Sequence, residues 1–319
     1  MNIGVLCSGG DAPGMNAAIR SAVRQGLAID ARMVGFRHGF DGIIDANYIE
    51  MAARSVGGIL DQGGTFLGTG RSKRFATEEG QRDALDQLAA LDIDHLVVIG
   101  GDGSMRGAHA LDAHGFPVVG VPGTIDNDLW GTEATIGFDT CLNTILDAVS
   151  KLRDTASAHD RVFVVEVMGR ESGELAANAA LGGGADFVIV PETPDERSLA
   201  AEHVAYDHWR GKLHTIIIVA EGCCHAGDVA ADLTEAAQGH EVRYSVLGHI
   251  QRGGHPSARD RILGARMGAA AVEALAEGVS GVMIGLRAER MVRVSLGDVV
   301  TKKKVFDQGL LDLVKTLAL

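Results

Sequence analysis

Residues 96–104 read LVVIGGDGS, an apolar run of four residues that ends in a glycine-rich turn with one acidic side chain. The run is too short and too apolar for a half-exposed antiparallel strand, and it fits a strand buried in a parallel sheet. A carboxylate between glycines at the end of such a strand suits a magnesium ion attached to nucleotide phosphates. The stretch therefore predicts an open α/β sheet with its ligand at the carboxyl ends of the strands.

The same pattern recurs along the chain, because short apolar runs alternate with segments of helical period. Such repetition predicts a doubly wound α/β fold with right-handed crossovers. The predicted strands cover residues 3–7, 96–99, 118–121, 162–167, 187–190, 215–220, 244–247 and 282–285. The predicted helices cover residues 15–25, 80–90, 140–152, 175–180, 198–209, 230–237 and 259–276.

Composition narrows the class of protein. A length of 319 residues allows one large domain or two, and 46% hydrophobic with 22% charged residues is typical of a globular chain. The net charge of −13 argues against nucleic acid and anionic membranes as partners, and no apolar run is long enough to span a membrane. The four cysteines form no C-x-x-C pair and no secretory signal is visible, so we expect a reduced, cytoplasmic protein.

Glycine is the compositional outlier, with 43 residues, about twice the usual ~7%. Six glycine-rich loops follow predicted strands or begin helices. They are residues 8–14 (SGGDAPG), 63–71 (GGTFLGTGR), 100–104 (GGDGS), 122–128 (PGTIDND), 168–170 (MGR) and 248–254 (GHIQRGG). In the first loop, backbone N–H groups and a helix dipole favour a phosphate, although a Gly-Gly pair equally permits a simple tight turn.

Residues 124–128 (TIDND) place two carboxylates two positions apart just after a predicted strand. An extended backbone aims both side chains the same way. One can then act as a general base towards a sugar hydroxyl while the other orients groups or holds metal-bound water. An Asx-rich turn is the alternative, but the predicted position beside residues 100–104 favours chemistry.

Together these stretches resemble the bacterial 6-phosphofructokinase family nearly end to end. The matching segments are residues 4–6, 8–16, 63–68, 97–104, 122–128, 164–170 and 248–254. NAD kinases and lipid kinases share the GGDG string but are not expected to carry TIDND or GHIQRGG, and no Walker-type P-loop is present. The resemblance implies phosphorylation of fructose 6-phosphate at its 1-hydroxyl, the committed step of glycolysis, with ATP and Mg²⁺.

The resemblance also implies two Rossmann-like, three-layer domains with mostly parallel sheets and an active site in the cleft between them. Residues 1–137 plus 251–303 form the nucleotide domain in this reading, and residues 138–250 plus 304–319 bind the sugar phosphate. Because a neighbouring subunit supplies two arginines in this family, the resemblance implies a homotetramer or dimer.

Site residues follow from the matching positions. The nucleotide phosphates would meet Gly10, Arg71, Ser72, Gly101, Asp102, Gly103 and Ser104, with Asp102 as the Mg²⁺ ligand. Asp126 would be the general base, and the other catalytic residues would be Arg71, Thr124, Asp128 and Arg170. The sugar phosphate would contact Thr124, Ile125, Asp126, Arg161, Met168, Gly169, Arg170, Glu221, Arg243, His249, Ile250, Gln251 and Arg252, of which Arg161 and Arg243 would come from the neighbouring subunit.

The phosphoryl donor is predicted from two glycines. Relatives that use pyrophosphate typically carry Asp and Lys where this chain has Gly103 and Gly123, so we predict ATP, and the pyrophosphate-dependent phosphotransferase is the alternative. A non-catalytic sugar-phosphate sensor on the same fold is expected to have lost Asp102 or Asp126, and both are present.

An allosteric site is also implied, since bacterial relatives bind ADP or phosphoenolpyruvate between subunits. The corresponding positions here are Arg20, Arg24, Arg153, Asp186, Arg210 and Lys212. Residues 54–58 and Leu213 depart from the usual pattern, so we expect an altered or lost effector response.

Overall fold

The computed structural model describes residues 1–237 and 239–318. Gln238 and Leu319, which belong to the predicted sugar domain, lie outside the described residues. The chain divides into two compact units: unit 1 is Met1–Thr140 with Arg252–Lys304, and unit 2 is Cys141–Gln251 with Val305–Leu319.

The strands are named in chain order. They are β1 (Asn2–Ser8), β2 (Arg32–Phe36), β3 (Tyr48–Glu50), β4 (His95–Gly100), β5 (Val118–Thr124), β6 (Ile136–Gly137), β7 (Val162–Val167), β8 (Phe187–Ile189), β9 (Thr215–Ala220), β10 (Val242–Val246), β11 (Val282–Arg287) and β12 (Arg290–Ser295).

The α-helices are named in the same way. They are α1 (Met15–Ala28), α2 (Phe40–Ile44), α3 (Glu78–Ala90), α4 (Asp102–Ala113), α5 (Phe138–His159), α6 (Glu174–Gly183), α7 (Ala200–Trp209), α8 (Ala226–Leu233), α9 (Ala258–Ala276), α10 (Leu296–Thr301) and α11 (Gln308–Leu317). Short 3-10 helices span Pro194–Leu199 and Gly248–Arg252. None of these described helices is long and apolar enough to cross a membrane.

Unit 1 is organised around an eight-stranded sheet in the order β12-β11-β5-β4-β1-β2-β3, with β6 paired to β5. All of its strand pairs are parallel except β2–β3 and β11–β12 at the two edges. One face packs against α2, α3, α4 and α10 through a core that includes Phe36, Leu88 and Met105. On the other side α1 and α9 pack against the strands and each other. Helices on both faces confirm the predicted doubly wound class.

Unit 2 contains a four-stranded sheet in the order β10-β7-β9-β8, and every pair in it is parallel. The strands β7 and β9 are fully buried, as near-continuous apolar sequence requires. Their side chains Val164 and Ile217 join a core with α7 and α8, while α6 packs against β8, β9 and α11.

Some local predictions are corrected. The predicted buried strand at residues 244–247 is an exposed edge strand, β10, in which Tyr244 is 57% exposed. The predicted helix at residues 230–237 begins and ends four residues earlier, as α8. Helix α4 was not predicted, because its first residues are the glycine-rich turn itself; Met105, Ala108 and Leu111 nevertheless form an apolar helical face against the sheet.

Candidate active site

The strand register of unit 1 brings three glycine-rich loops to one edge of the sheet. Ser8 at the end of β1 pairs with Gly100 of β4, and Gly100 pairs with Pro122 of β5. The Ser104 hydroxyl donates a 2.8 Å hydrogen bond to the Ser8 carbonyl. A Cβ built on Gly101 would lie 3.3 Å from the Cβ of Thr124. The predicted phosphate loops and the TIDND segment are therefore neighbours within unit 1.

The first loop, residues 8–14, is hydrogen-bonded to residues 63–71. Gly9, at φ 86°, adopts a left-handed conformation that glycine tolerates best. Its N–H donates to the Gly70 carbonyl at 3.1 Å, and the Thr69 hydroxyl donates to the Gly9 carbonyl at 3.0 Å. Both loops are consequently held as one backbone surface beside the N-terminus of α1.

Asn16 is a residue of this surface whose role the sequence did not reveal. It is 2% exposed, its amide donates to the Gln62 and Gly63 carbonyls, and its Oδ1 accepts from the Phe66 N–H at 2.6 Å. A polar residue on the buried face of an amphipathic helix was the available signal. Asn16 positions the 63–71 loop.

Two arginines flank the phosphate loops. A Cβ built on Gly10 would lie 3.4 Å from Nη1 of Arg252, so the glycine leaves room for that guanidinium. The sequence had assigned Arg252 to the sugar phosphate, and the structure places it beside Gly10 of unit 1. Arg71 is exposed and makes no ion pair in the part of the chain that the structure describes. Arg252 therefore lies beside the first phosphate loop, and Arg71 ends the loop of residues 63–71 with an exposed side chain.

Asp102 begins α4 directly after the Gly101 N-cap. Its side chain is 36% exposed, and Oδ2 accepts a 3.0 Å hydrogen bond from Nε of Arg106, a partner that the sequence reading missed. A Cβ at Gly103 would meet no atom within 4 Å. The N-terminus of the twelve-residue α4 therefore faces open space beside one carboxylate, an environment that favours phosphate oxygens.

Asp126 follows β5 and is 6% exposed. Its Oδ2 accepts a hydrogen bond from the Thr124 hydroxyl at 3.3 Å, and its N–H donates back to that hydroxyl at 3.2 Å. Asn127 has φ 51°, and Lys304 donates to its carbonyl at 2.8 Å. The turn is thus fixed on both sides, and it holds the Asp126 carboxylate in one orientation.

The Ser72 hydroxyl, predicted at the nucleotide, is already engaged within unit 1. It donates to Oδ1 of Asp41 at 2.6 Å and accepts from the N–H of Phe75 at 2.9 Å. The hydroxyl of Ser104 is likewise used, in the bond to Ser8, and the residue is 1% exposed. Neither hydroxyl is therefore left for a ligand, and the Ser104 N–H is also engaged, since it donates to the Gly101 carbonyl at 2.9 Å.

In unit 2, several predicted sugar-binding residues lie in direct contact at the carboxyl end of the sheet. Gly169 and Arg170 have positive φ values of 142° and 51°. The N–H of Arg170 donates to Oε1 of Glu221 at 3.3 Å. A Cβ at Gly222 would lie only 1.5 Å from the Arg170 carbonyl oxygen, so that close approach requires glycine.

Gln251 is a buried residue that hydrogen-bonds to this group of predicted sugar-binding residues. It is fully buried, its Oε1 accepts from the Met168 N–H at 3.1 Å, and its Nε2 donates to the Gly248 carbonyl at 3.0 Å. Its neighbours His249 and Ile250 are exposed, Ile250 by 62%. Gln251 therefore ties two strand-end segments together, and His249 and Ile250 are the side chains of this 3-10 turn that are exposed.

Arg161 and Arg243 lie at the opposite end of the unit 2 sheet. Arg161 immediately precedes β7, and Arg243 stands near the start of β10, opposite Phe163. Both form ion pairs with Glu241, at 2.5 Å for Arg161. At ~3.3 Å per strand residue, Arg161 lies about 23 Å from Met168 along the strand, and Arg243, opposite Phe163, lies about 17 Å from it. Unit 2 does not bring these two arginines together with the other predicted sugar ligands.

Comparison with known proteins identifies the family of this chain. A family model described as Phosphofructokinase matches residues 2–275. The chain belongs to the phosphofructokinase family. It is 50% identical over 321 residues to "ATP-dependent 6-phosphofructokinase 1" of Thermus thermophilus, covering 99% of each chain. The corresponding figures are 48%, 317 residues and 99% of each chain for the "ATP-dependent 6-phosphofructokinase" of Listeria welshimeri.

A solved structure of phosphofructokinase from Saccharomyces cerevisiae superimposes with a TM-score of 0.87 at 36% identity, over 94% of this chain and 45% of that one. Family, fold class and the kind of enzyme recognised from the sequence are thereby confirmed. The placement of individual site residues stays a prediction.

Three of the predicted effector positions, Arg153, Asp186 and Lys212, are already engaged within unit 2. Asp186 is 6% exposed and pairs with Nζ of Lys212 at 2.6 Å, while its Oδ2 accepts from the Ile216 N–H at 2.6 Å. Arg153 donates to the carbonyls of Gly183 and Gly184 at the end of α6. An effector at these residues would have to exchange existing bonds for its own.

Proposed function

We propose that this chain transfers the γ-phosphate of ATP to the 1-hydroxyl of fructose 6-phosphate. The observation that carries the proposal is the adjacency, in unit 1, of Asp126 to the glycine-rich phosphate loops. Support comes from the full-length relatives named for ATP-dependent 6-phosphofructokinase activity. Phosphoryl transfer needs little covalent participation by the protein, so alignment and charge neutralisation are the requirements that the site has to meet.

The donor phosphates are assigned to the loops after β1 and β4. The N–H groups around Gly10, the N-terminus of α4 and the guanidinium groups of Arg71 and Arg252 supply fixed positive potential. Among the described residues no group of three or more His, Cys, Asp or Glu could hold a metal ion. Mg²⁺ usually binds through one or two carboxylates plus substrate phosphates. Asp102 fits that role, and the ion would neutralise phosphate charge.

Asp126 is assigned as the general base. Its carboxylate accepts the proton from the sugar 1-hydroxyl while the hydroxyl oxygen bonds to the γ-phosphorus and ADP leaves. The Thr124 hydroxyl holds the carboxylate in its orientation. Burial at the strand end limits competition from water. Asp128 and Arg170 are assigned to orienting the transferred group.

The donor preference rests on two positions. The open space at Gly103 leaves room for the α-phosphate of ATP, and an acidic side chain there would repel it. At Gly123 a Cβ would lie 2.9 Å from Cε of Met15 and 3.1 Å from Cγ2 of Ile99, so a lysine would have to displace packed side chains. Both features favour ATP over pyrophosphate.

The sugar phosphate is assigned to unit 2, with Met168, Gly169, Arg170 and Glu221 at the hydroxyls and His249 at the 6-phosphate. Arg161 and Arg243 stand at the far end of the same sheet, so we assign them to the 6-phosphate bound by a neighbouring copy. This assignment requires an oligomer, and we propose a homotetramer. The four free cysteines suit a reducing compartment, and we place the enzyme in the cytoplasm.

The deciding experiment measures fructose 1,6-bisphosphate formation with MgATP and with Mg-pyrophosphate as alternative donors. We expect turnover with ATP to exceed that with pyrophosphate by orders of magnitude. Equal or better turnover with pyrophosphate would overturn the donor assignment, and no product with either donor would overturn the reaction.

A further inference from the structure

Glu166 is a buried carboxylate in the otherwise apolar strand β7 of unit 2. It is 7% exposed. Its Oε2 accepts a 2.8 Å hydrogen bond from the N–H of Ala226, the first residue of α8, and lies 3.7 Å from Nδ1 of His225. Removing a carboxylate from water is costly unless hydrogen bonds and positive charge compensate it. An apolar side chain would fill a buried strand at lower cost, so packing alone does not explain this residue.

The position of Glu166 closes a loop that carries a predicted sugar ligand. Residues 221–226 are fastened at their start by the Glu221 N–H, which donates to the Val167 carbonyl at 2.8 Å. They are fastened at their end by the Ala226 N–H on Glu166. Both ends of this six-residue segment are therefore held by two consecutive residues of one strand.

Residues 221–226 also contact the backbone turn that contains Arg170. Glu221 accepts from the Arg170 N–H, and Gly222 lies directly beneath the Arg170 carbonyl. Because a Cβ at Gly222 would already overlap that carbonyl, small displacements of the segment are transmitted to Arg170.

We propose that Glu166 is a positioning residue that sets the geometry of Glu221 and Arg170 for sugar-phosphate binding. The inference rests on the proposed function and adds a residue that touches no substrate itself. Its negative charge acts at the N-terminus of α8, where it offsets the helix dipole and fixes the loop end. Loss of the charge loosens one anchor of residues 221–226 while the other anchor, at Val167, remains.

The test compares Glu166→Gln, which keeps an acceptor oxygen of similar size, with Glu166→Leu, which removes both acceptor and charge. The control is Asp307→Ala, which removes an exposed carboxylate at a helix start: Asp307 caps α11 in unit 2 and accepts from the Gly309 N–H at 2.9 Å. Steady-state kinetics give KM for fructose 6-phosphate and for ATP, and amide hydrogen exchange reports on residues 221–226.

From the strength of a hydrogen bond to a charged group, we expect KM for fructose 6-phosphate to rise about threefold in Glu166→Gln and about 20-fold in Glu166→Leu. KM for ATP should change less than about twofold, and exchange should accelerate in residues 221–226. Asp307→Ala should lower stability without changing either KM.

Unchanged exchange and unchanged sugar-phosphate KM in an active Glu166→Gln enzyme would overturn the positioning role. Parallel losses in stability and active fraction, with both KM values preserved, would reduce Glu166 to a helix cap and overturn it equally. A wild-type enzyme that does not phosphorylate fructose 6-phosphate would instead overturn the proposed function, a result that the exchange data would distinguish.

Discussion

Units 1 and 2 are both built on parallel strands, but they use the ends of their sheets differently. In unit 1 the loops after β1, β4 and β5 bring Gly10, Asp102 and Asp126 to one edge. In unit 2 the segment after β7 occupies the carboxyl end, whereas Arg161 and Arg243 stand at the amino end. Unit 1 therefore brings its predicted catalytic groups together, while the predicted ligands of unit 2 are divided between two ends.

The difference shows how far the strand-end rule reaches. Ligands in open α/β sheets bind outside the carboxyl ends of the strands, and Asp102 and Asp126 follow that rule. The rule fails for Arg161 and Arg243 as long as one copy of the chain is considered. It holds again if the amino end of one copy serves the carboxyl end of another, and under that proposal catalysis requires an oligomer.

The largest expected effect tests the unit 1 arrangement. Asp126→Ser removes the carboxylate that accepts the proton, and we expect turnover to fall roughly 10²–10⁴-fold, the usual contribution of a general base. KM values should change little, because phosphate binding is assigned to other residues. Asp83→Ser, an exposed change on α3, is the control. Near-normal turnover in the Asp126 variant would remove it from its assigned role.

The next effect tests the divided arrangement of unit 2. Arg243→Ala removes a guanidinium assigned to the 6-phosphate, and we expect KM for fructose 6-phosphate to rise about 10²-fold, since hydrogen bonds to charged groups contribute about 1.5–3 kcal/mol each. KM for ATP should not change. Arg197→Ala, which breaks the 2.6 Å ion pair with Asp232 in the same unit, is the matched control. Equal effects in the two variants would argue against a specific phosphate contact.

Mixing variants then decides which copy Arg243 serves. Hybrids of Asp126→Ser and Arg243→Ala chains contain an intact site only if the base and the arginine come from different chains. We expect dissociation and reassociation of the mixture to restore part of the activity that each variant alone lacks. A mixture as inactive as its components would place both residues in one chain.

All eight predicted strands were found, and seven of them are buried, because a strand buried on both faces is a continuous apolar run that needs no tertiary information. The eighth, β10, is an exposed edge strand, and the buried strand β2 was missed. The edge strands β3 and β12 were missed, since they are antiparallel, partly exposed and rich in charged residues such as Glu50 and Arg293. Their pairing depends on the neighbouring strand more than on their own sequence.

The site residues also fall into those that the sequence predicted and those that it did not. The turns around Asp102 and Asp126 were predicted because glycines and carboxylates at strand ends are local signals. Glu166 and Asn16 were not assigned roles, because their partners Ala226 and Phe66 lie 60 and 50 residues away along the chain. Sequence spacing does not reveal such bonds; only the fold brings these partners together.

A smaller effect tests the donor side of unit 1. Gly103→Asp places a charge in open space in the first turn of α4. Repulsion of a phosphate at an effective dielectric of ~20 costs about 2 kcal/mol or more, so we expect kcat/KM for ATP to fall roughly 30-fold. Gly103→Ala is the uncharged control and should retain activity. An aspartate variant that uses ATP as well as wild type would remove Gly103 from donor selection.

The smallest expected effect is a difference between the two units in how their stability depends on pH. In unit 2, burial lowers the pKa of His203 against the pull of Asp207, and burial together with His240 lowers the pKa of His208. In unit 1, burial raises the pKa of Asp260. A histidine held neutral by the fold contributes stability above its unfolded pKa of 6.5, and this is lost as pH falls. A carboxyl group with a raised pKa contributes stability at low pH that is lost as pH rises.

Acidification from pH 7 to 5.5 should therefore weaken unit 2 relative to unit 1. We expect amide exchange, corrected for its intrinsic pH dependence, to show falling protection in β7 and β9 while β1 and β4 stay protected. His208→Phe keeps a ring against His240 but cannot titrate, so it should reduce the loss in unit 2 and leave unit 1 unaffected. Equal loss of protection in both units would show that the buried imidazoles do not set the difference, and that acid acts on the chain as a whole.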